Sequence, residues 1–239
     1  MERISRETYL NSEIESNLLK EGASLVGFAD ISGLPVRSRE SMKFAVSIAV
    51  ALDPSVIRGI PKGPTPTYYQ EYNKVNLLLS NLCKIAAEFL KKKGYTAVII
   101  EPTVKELDIK ALSAKFQHKT AATRAGLGWI GKSALLVTEK YGSAVRLATV
   151  LTDAEFEVGE PIDNSCCGTC DRCVERCPAF AIVGRNWTAG LEREMMLDAF
   201  KCCDNAKKMS KDIGISATIC GICINACPWT QKYISRETT

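Results

Sequence analysis

Cys167-Gly168-Thr169-Cys170-Asp171-Arg172-Cys173-Val174-Glu175-Arg176-Cys177-Pro178 is the stretch on which the reading of this chain turns. Its cysteines follow the spacing C-x2-C-x2-C-x3-C-P. About forty residues on, Cys220-Gly221-Ile222-Cys223-Ile224-Asn225-Ala226-Cys227-Pro228 repeats the pattern without its first cysteine. Cys202 and Cys203 stand upstream to supply the missing thiol. Ten of the eleven cysteines fall after position 165, so the metal chemistry, if any, is concentrated there.

The spacing has a chemical reason. Cysteines at i, i+3 and i+6 in a tight loop can turn their sulfurs toward one [4Fe-4S] cubane, while the loop N–H groups point inward at the cluster sulfides. The fourth cysteine sits before a proline, where the chain leaves the loop, and in two-cluster proteins it ligates the other cluster. That rule gives one cluster Cys167, Cys170, Cys173 and Cys227. It gives the other Cys177, Cys220, Cys223 and either Cys202 or Cys203. Zinc is the plainer alternative, but four-cysteine zinc sites generally pair two C-x2-C knuckles, and a third cysteine with a following Cys-Pro suits a cubane better. Disulfides are disfavoured because nothing marks the chain as secreted. Of the adjacent pair Cys166 and Cys167, only Cys167 completes the spacing.

Composition sets the wider frame. The 239 residues allow one large domain or two modest ones, and 46% hydrophobic with 24% charged residues suits a globular chain with a real core. A formal charge of +4 is too small to argue for nucleic acid, so a tRNA partner is permitted but not indicated. The N-terminus has neither the apolar core of a signal peptide nor an adjacent arginine pair, and no run of eighteen apolar residues occurs. The expectation is a cytoplasmic protein without a membrane partner.

Upstream of the cysteines, periodicity predicts a helix over 5–21, buried strands over 23–29 and 45–52, and a loop over 53–66. A long helix is expected from Thr67 to Lys93, with Cys83 as a small core residue, and a third strand over 95–101. Residues 102–125 read as helical in part. Strands over 134–138 and 144–151, joined by Glu139-Lys140-Tyr141-Gly142, read as a hairpin. A linker near 153–164 then separates an N-terminal domain, 1–155, from a cysteine domain, 156–239. Within the latter, 191–200 reads as a short helix and 213–219 as a connector.

Gly126-x-Gly128-x-x-Gly131-Lys132 matches G-x-G-x-x-G only superficially, since the dinucleotide fingerprint follows a strand and opens a helix. Here the order is reversed. Three glycines beside a Trp and a Lys still mean that something approaches the backbone, either a cofactor or the neighbouring strand. His118 is the sole histidine, so any imidazole chemistry falls to it.

The run Ala121-Ala-Thr-Arg-Ala-Gly-Leu-Gly-Trp-Ile-Gly-Lys132, then Tyr141-Gly142, Leu147-Ala-Thr-Val-Leu-Thr-Asp153, and the two cysteine motifs ending at Trp229 resemble epoxyqueuosine reductase and its relatives, with reductive dehalogenases as more distant kin. The resemblance implies an α+β chain. An N-terminal α/β sandwich-like domain of the cobalamin-reductase and nitroreductase type would be followed by a ferredoxin-like domain holding two [4Fe-4S] clusters, which would pass electrons to base-off cobalamin. It makes Gly126, Gly128, Trp129, Gly131, Lys132 and Arg146 candidate cofactor contacts. It also favours Cys202 over Cys203, because Asp198-Ala-Phe-Lys-Cys202 is similar to the family's segment before that cysteine.

Two departures stand out. Where the family has an acidic proton donor, this chain has Leu112-Ser-Ala-Lys-Phe-Gln-His-Lys119, which leaves Asp108 and His118 as candidate catalytic acids. The chain also ends at Thr239, where the resemblance leads one to expect a helical-repeat region. The expected activity is therefore that of an iron–sulfur oxidoreductase related to, but not identical with, epoxyqueuosine reductase. Its alternatives are an electron-transfer protein without cobalamin and a true epoxyqueuosine reductase. A ferredoxin or flavodoxin is the expected electron donor, with a small-molecule or protein acceptor.

Overall fold

A computed structural model describes residues 6–103, 108 and 112–236. The chain divides into two compact units built from interleaved stretches: Met1–Val50, Asn76–Leu127 and Arg146–Ile162 in the first, Ala51–Val75, Gly128–Val145 and Asp163–Thr239 in the second. Two segments early in the sequence belong with the cysteines because their partners are distant in sequence.

The first unit is organised on a four-stranded sheet in the order β1-β2-β6-β3. β1 (Leu25–Asp30) runs antiparallel to β2 (Phe44–Ala51), with Gly27 opposite Ser47, and β3 (Ala97–Ile100) runs antiparallel to β6 (Val145–Thr152), with Ile99 opposite Val150. Six successive residues of β2 are buried, so both faces of this central strand are covered, which is why its sequence is apolar on both faces, Ser47 excepted, rather than an alternation. Helix α1 (Arg6–Lys20) buries Leu10, Ile14 and Leu18, spaced four apart on one face, and packs on β1. Helix α4 (His118–Arg124) also packs on β1, where Ala121 and Ala125 join Ala29, Ala45, Phe116 and Leu151 in one core. The long α3 (Pro66–Lys92) buries Leu79, Leu82, Cys83, Ala86 and Leu90, as its periodicity required.

The 53–66 segment is not all loop. Asp53 caps a short helix, α2 (Pro54–Arg58), by accepting from the N–H groups of Ser55 and Val56, and Pro54 supplies the fixed φ of a first helical position. The expected hairpin over 134–151 is not formed either. β5 (Leu136–Val137) pairs with β4 (Trp129–Ile130), whereas β6 joins the four-stranded sheet. Thr138 and Gly142 bond reciprocally at 2.9 Å to close the turn, so the short loop is real but its flanking strands serve different sheets.

In the second unit each cysteine motif makes the same local structure. Cys173 lies in the one-turn helix α5 (Arg172–Glu175) and Cys223 in α7 (Ile222–Ala226), each followed by its Cys-Pro, and α5 packs against α7. The helix expected over 191–200 is instead a 3-10 turn at Arg193–Met195, and a longer helix, α6 (Ala199–Asp212), starts where Asp198 accepts from the Lys201 N–H. Helix α8 (Pro228–Arg236) is pinned to the 52–58 segment. The Tyr233 hydroxyl donates to the Leu52 carbonyl at 3.0 Å, and the Arg58 guanidinium donates to the Ile234 carbonyl at 3.3 Å.

Candidate iron–sulfur centres

The first group of thiols is brought together across the two motifs. Cys167, Cys170, Cys173 and Cys227 line one pocket with about 410 Å³ of atom-free space, part of it open to solvent. Gly131, Lys132, Ser133, Val137, Pro228 and Trp229 complete its lining. Burial pushes the Cys173 thiol up to about 11, and the neighbouring Cys167, Cys227 and Cys170 add to the rise. Cys166 is exposed, in contrast to the half-buried Cys167 beside it.

The second group gathers around α7. Burial pushes the Cys202 thiol up to about 11, and the neighbouring Cys177, Cys220 and Cys203 add to the rise. Cys220 is raised by burial and by Cys177. Cys223 is raised above the ordinary thiol range by burial, then by Cys220, Cys202, Cys173 and Cys177, so the two groups adjoin through Cys173 and Cys223. Cys203 comes next to Cys202 in α6 and is itself among the neighbours that raise the Cys202 thiol. Met209 Sδ lies 3.9 Å from Cys220 Sγ, a neighbour that spacing did not suggest. Among the described residues, no three His, Cys, Asp or Glu side chains converge closely enough to chelate a single ion.

Residues 166–230 match the family described as the 4Fe-4S double cluster binding domain. The sequence is also related to those of epoxyqueuosine reductases. That of Prochlorococcus marinus (strain NATL2A) is 29% identical over 165 residues, which are 65% of this chain and 49% of the relative. That of Gloeobacter violaceus is 45% identical over 86 residues, 36% of this chain and 24% of the relative. The chain thus spans about half, or less, of the length of these curated relatives. In fold it is similar to the catabolic reductive dehalogenase NpRdhA, with a TM-score of 0.73 at 19% identity over 95% of this chain and 33% of that one. A solved epoxyqueuosine reductase gives a TM-score of 0.64 at 21% identity over 93% of this chain and 66% of that one.

Outside the double-cluster segment, the glycine-rich turn meets the chain's own backbone. A Cβ at Gly128 would stand 2.2 Å from the Val137 carbonyl oxygen, across the β4–β5 pair, and one at Gly126 would stand 2.8 Å from the Glu160 carbonyl oxygen. Gly131 is different. An added Cβ there would meet side chains, Val137 Cγ2 at 2.8 Å and then Cys167 Sγ of the first thiol group at 3.4 Å. Trp129 is buried in an edge-to-face contact with Trp229, ring centroids 5.1 Å apart, and its indole Nε1 has no hydrogen-bond partner among the described residues. Lys132 is 5% exposed, and its ammonium donates to Asp171 Oδ1 at 2.7 Å. Asp171 lies inside the first cysteine motif, so its position was visible in the sequence, but its pairing with Lys132 was not.

The remaining candidates lie in the first unit. Arg146 donates from Nε to Asn76 Oδ1 at 3.0 Å and from Nη2 to the Pro102 carbonyl at 3.2 Å. His118 Nε2 is 3.0 Å from the Glu101 carbonyl, to which it must donate, leaving Nδ1 to accept from the Thr149 hydroxyl at 2.8 Å. Burial lowers the His118 pKa to about 4, opposed by the Glu101 bond and assisted by Arg146, so the ring is neutral at pH 7. Asp108 is exposed and exchanges backbone bonds with Ser113. Cys83 is fully buried in α3, and burial followed by the Glu101 charge pushes its thiol up to about 12. No helix among the described residues is long and apolar enough to cross a membrane.

Proposed function

We propose that this chain is an iron–sulfur reductase whose two sets of thiols hold [4Fe-4S] clusters in a ferredoxin-like arrangement, with a sandwich-like α/β part that serves the electron acceptor. The observation that carries the reading is the pocket shared by Cys167, Cys170, Cys173 and Cys227, thiols from two motifs that the fold unites. The donor set fits the group, since soft thiolates in this spacing are what such clusters bind. Cys177, Cys202, Cys220 and Cys223 form the second set. When bound, the clusters supply one-electron transfer at potentials set by charge, hydrogen bonds and exposure. Because burial holds Cys173, Cys202, Cys220 and Cys223 as neutral thiols, loading must displace their protons.

A corrinoid is the acceptor we favour, on the likeness in fold to a structure described as suggesting a mechanism for B12-dependent dehalogenation. Of the six residues put forward from the sequence, Gly131 lines the first thiol pocket. Gly126 and Gly128 abut backbone, Trp129 is buried, and Lys132 and Arg146 are engaged by the protein. No step is therefore drawn through that group. The test is anaerobic reconstitution, iron analysis and EPR, then titration with cob(II)alamin. Two reducible cubanes with stoichiometric loss of the lower-base nitrogen splitting support the reading. Two cubanes with an unchanged cobalamin signal redirect it to a carrier that reduces a partner protein, and failure to retain iron overturns it.

The shared name of the curated relatives favours a second reading, reduction of epoxyqueuosine in tRNA. His118 would enter that reaction as a neutral imidazole. Failure to restore queuosine in cells lacking the authentic enzyme would remove it.

A further inference from the structure

Lys132 presents a problem that the proposed reading resolves. Lysines are almost never fully buried unless paired, because an ammonium removed from water must recover its solvation from other groups. Lys132 is 5% exposed, and its partner among the described residues is Asp171, whose side chain is 47% exposed. One of the three ammonium donors is thus used, on a carboxylate that water still screens. The same lysine lines the pocket with Cys167, Cys170, Cys173 and Cys227. Gly131, next to it, has no side chain to intervene, and an added Cβ there would come within 3.4 Å of Cys167 Sγ.

We infer that Lys132 is a positioning and potential-setting residue for the first cluster, its buried positive charge favouring the reduced, more negative state. The inference rests on the iron–sulfur reading above and adds an asymmetry to it. Among the described residues the first thiol pocket contains a buried cation, whereas the neighbour found beside Cys220 is the uncharged Met209. The two clusters then differ in potential, with the first as the better electron acceptor. Asp171 anchors the ammonium from the solvent side and offsets part of its field.

The experiment is an EPR-monitored potentiometric titration of the reconstituted full chain and of Lys132→Gln, Lys132→Arg and Asp171→Asn, with iron counted in each. Lys132→Gln is expected to lower the first cluster's midpoint by about a tenfold change in its reduction equilibrium, which is 59 mV for one electron. The second midpoint stays unchanged, and Lys132→Arg keeps the parent value. An unchanged midpoint in Lys132→Gln, an equal fall in Lys132→Arg, or equal shifts of both clusters overturns the inference. If Lys132→Gln assembles only one cluster, Asp171→Asn reads the same field from the other side: its first midpoint should rise, and one that stays or falls overturns the inference. A parent chain that assembles no cubane at all defeats the underlying reading, whatever the variants do.

Discussion

Gly142→Ala tests whether the fold around the turn builds the first thiol pocket. Gly142 has φ +58°, and a Cβ there would stand 2.2 Å from the Thr230 nitrogen, 2.5 Å from its Oγ1 and 2.6 Å from its Cα. Thr230 is fully buried in the first turn of α8, and its Oγ1 accepts from the Ser143 N–H at 3.0 Å. The next residue, Gln231, donates back to the Cys227 carbonyl at 2.9 Å, so displacement of this turn is transmitted directly to a cluster thiol. The left-handed conformation costs a side chain about 1–2 kcal/mol. Overpacking against backbone, which cannot rotate away, adds about 1–3 kcal/mol. The total of about 2–5 kcal/mol corresponds to a fall in Tm of roughly 5–15 °C for a chain of this size. Iron analysis and EPR on the variant should show loss of the first cluster with the second retained. Gly190→Ala is the control: φ is +87° but nothing lies within 4 Å, so it should lose about 1–2 kcal/mol and keep both clusters. A Gly142→Ala protein with full iron and a Tm within about 2 °C of the parent would refute the reasoning, since neither cost would then have been incurred.

Three further outcomes are expected. Cys202→Ser should lose the iron of the second cluster and Cys203→Ser should keep it, as counted by iron per chain, because Cys177 and Cys220 are neighbours of the Cys202 thiol; the reverse result would reassign the ligand. His118 has a folded pKa of about 4 against an ordinary 6.5, so the unfolded state binds the extra proton between those values and stability falls as pH drops through that window. At 1.36 kcal/mol per unit the loss approaches about 3 kcal/mol by pH 4, and denaturation of His118→Gln across pH 7.5 to 4.5 should show a correspondingly flatter profile. Cys83 should resist alkylation in the folded chain and react only on unfolding, with Cys83→Ala leaving iron content unchanged; rapid labelling of the native protein would contradict its placement in the core.

How much was legible in advance follows from how local each feature is. Helices α1 and α3 and strands β1 and β2 were readable because their signal lies within the element itself, Leu10, Ile14 and Leu18 repeating on one face and β2 apolar at every position but Ser47. Helix α2 was hidden because glycine and proline density looks like loop, although the Asp53-Pro54 cap was present in the sequence. The supposed hairpin failed because turn chemistry specifies a reversal and not the partner of each flanking strand. Tertiary packing sent β5 to β4 and β6 to the larger sheet.

The same division holds for the candidate site. By itself the sequence determined the donor chemistry, since thiol spacing within a loop is a property of ten or twelve consecutive residues and two such loops imply paired clusters. Only the tertiary structure decided that the Lys132 ammonium is buried against Asp171, beside the pocket of Cys167, Cys170, Cys173 and Cys227 that the spacing rule had already grouped, and that the Tyr233 hydroxyl meets the Leu52 carbonyl. Those are meetings of residues tens of positions apart. Their free energy comes from burial and charge pairing across the fold, to which local spacing gives no access.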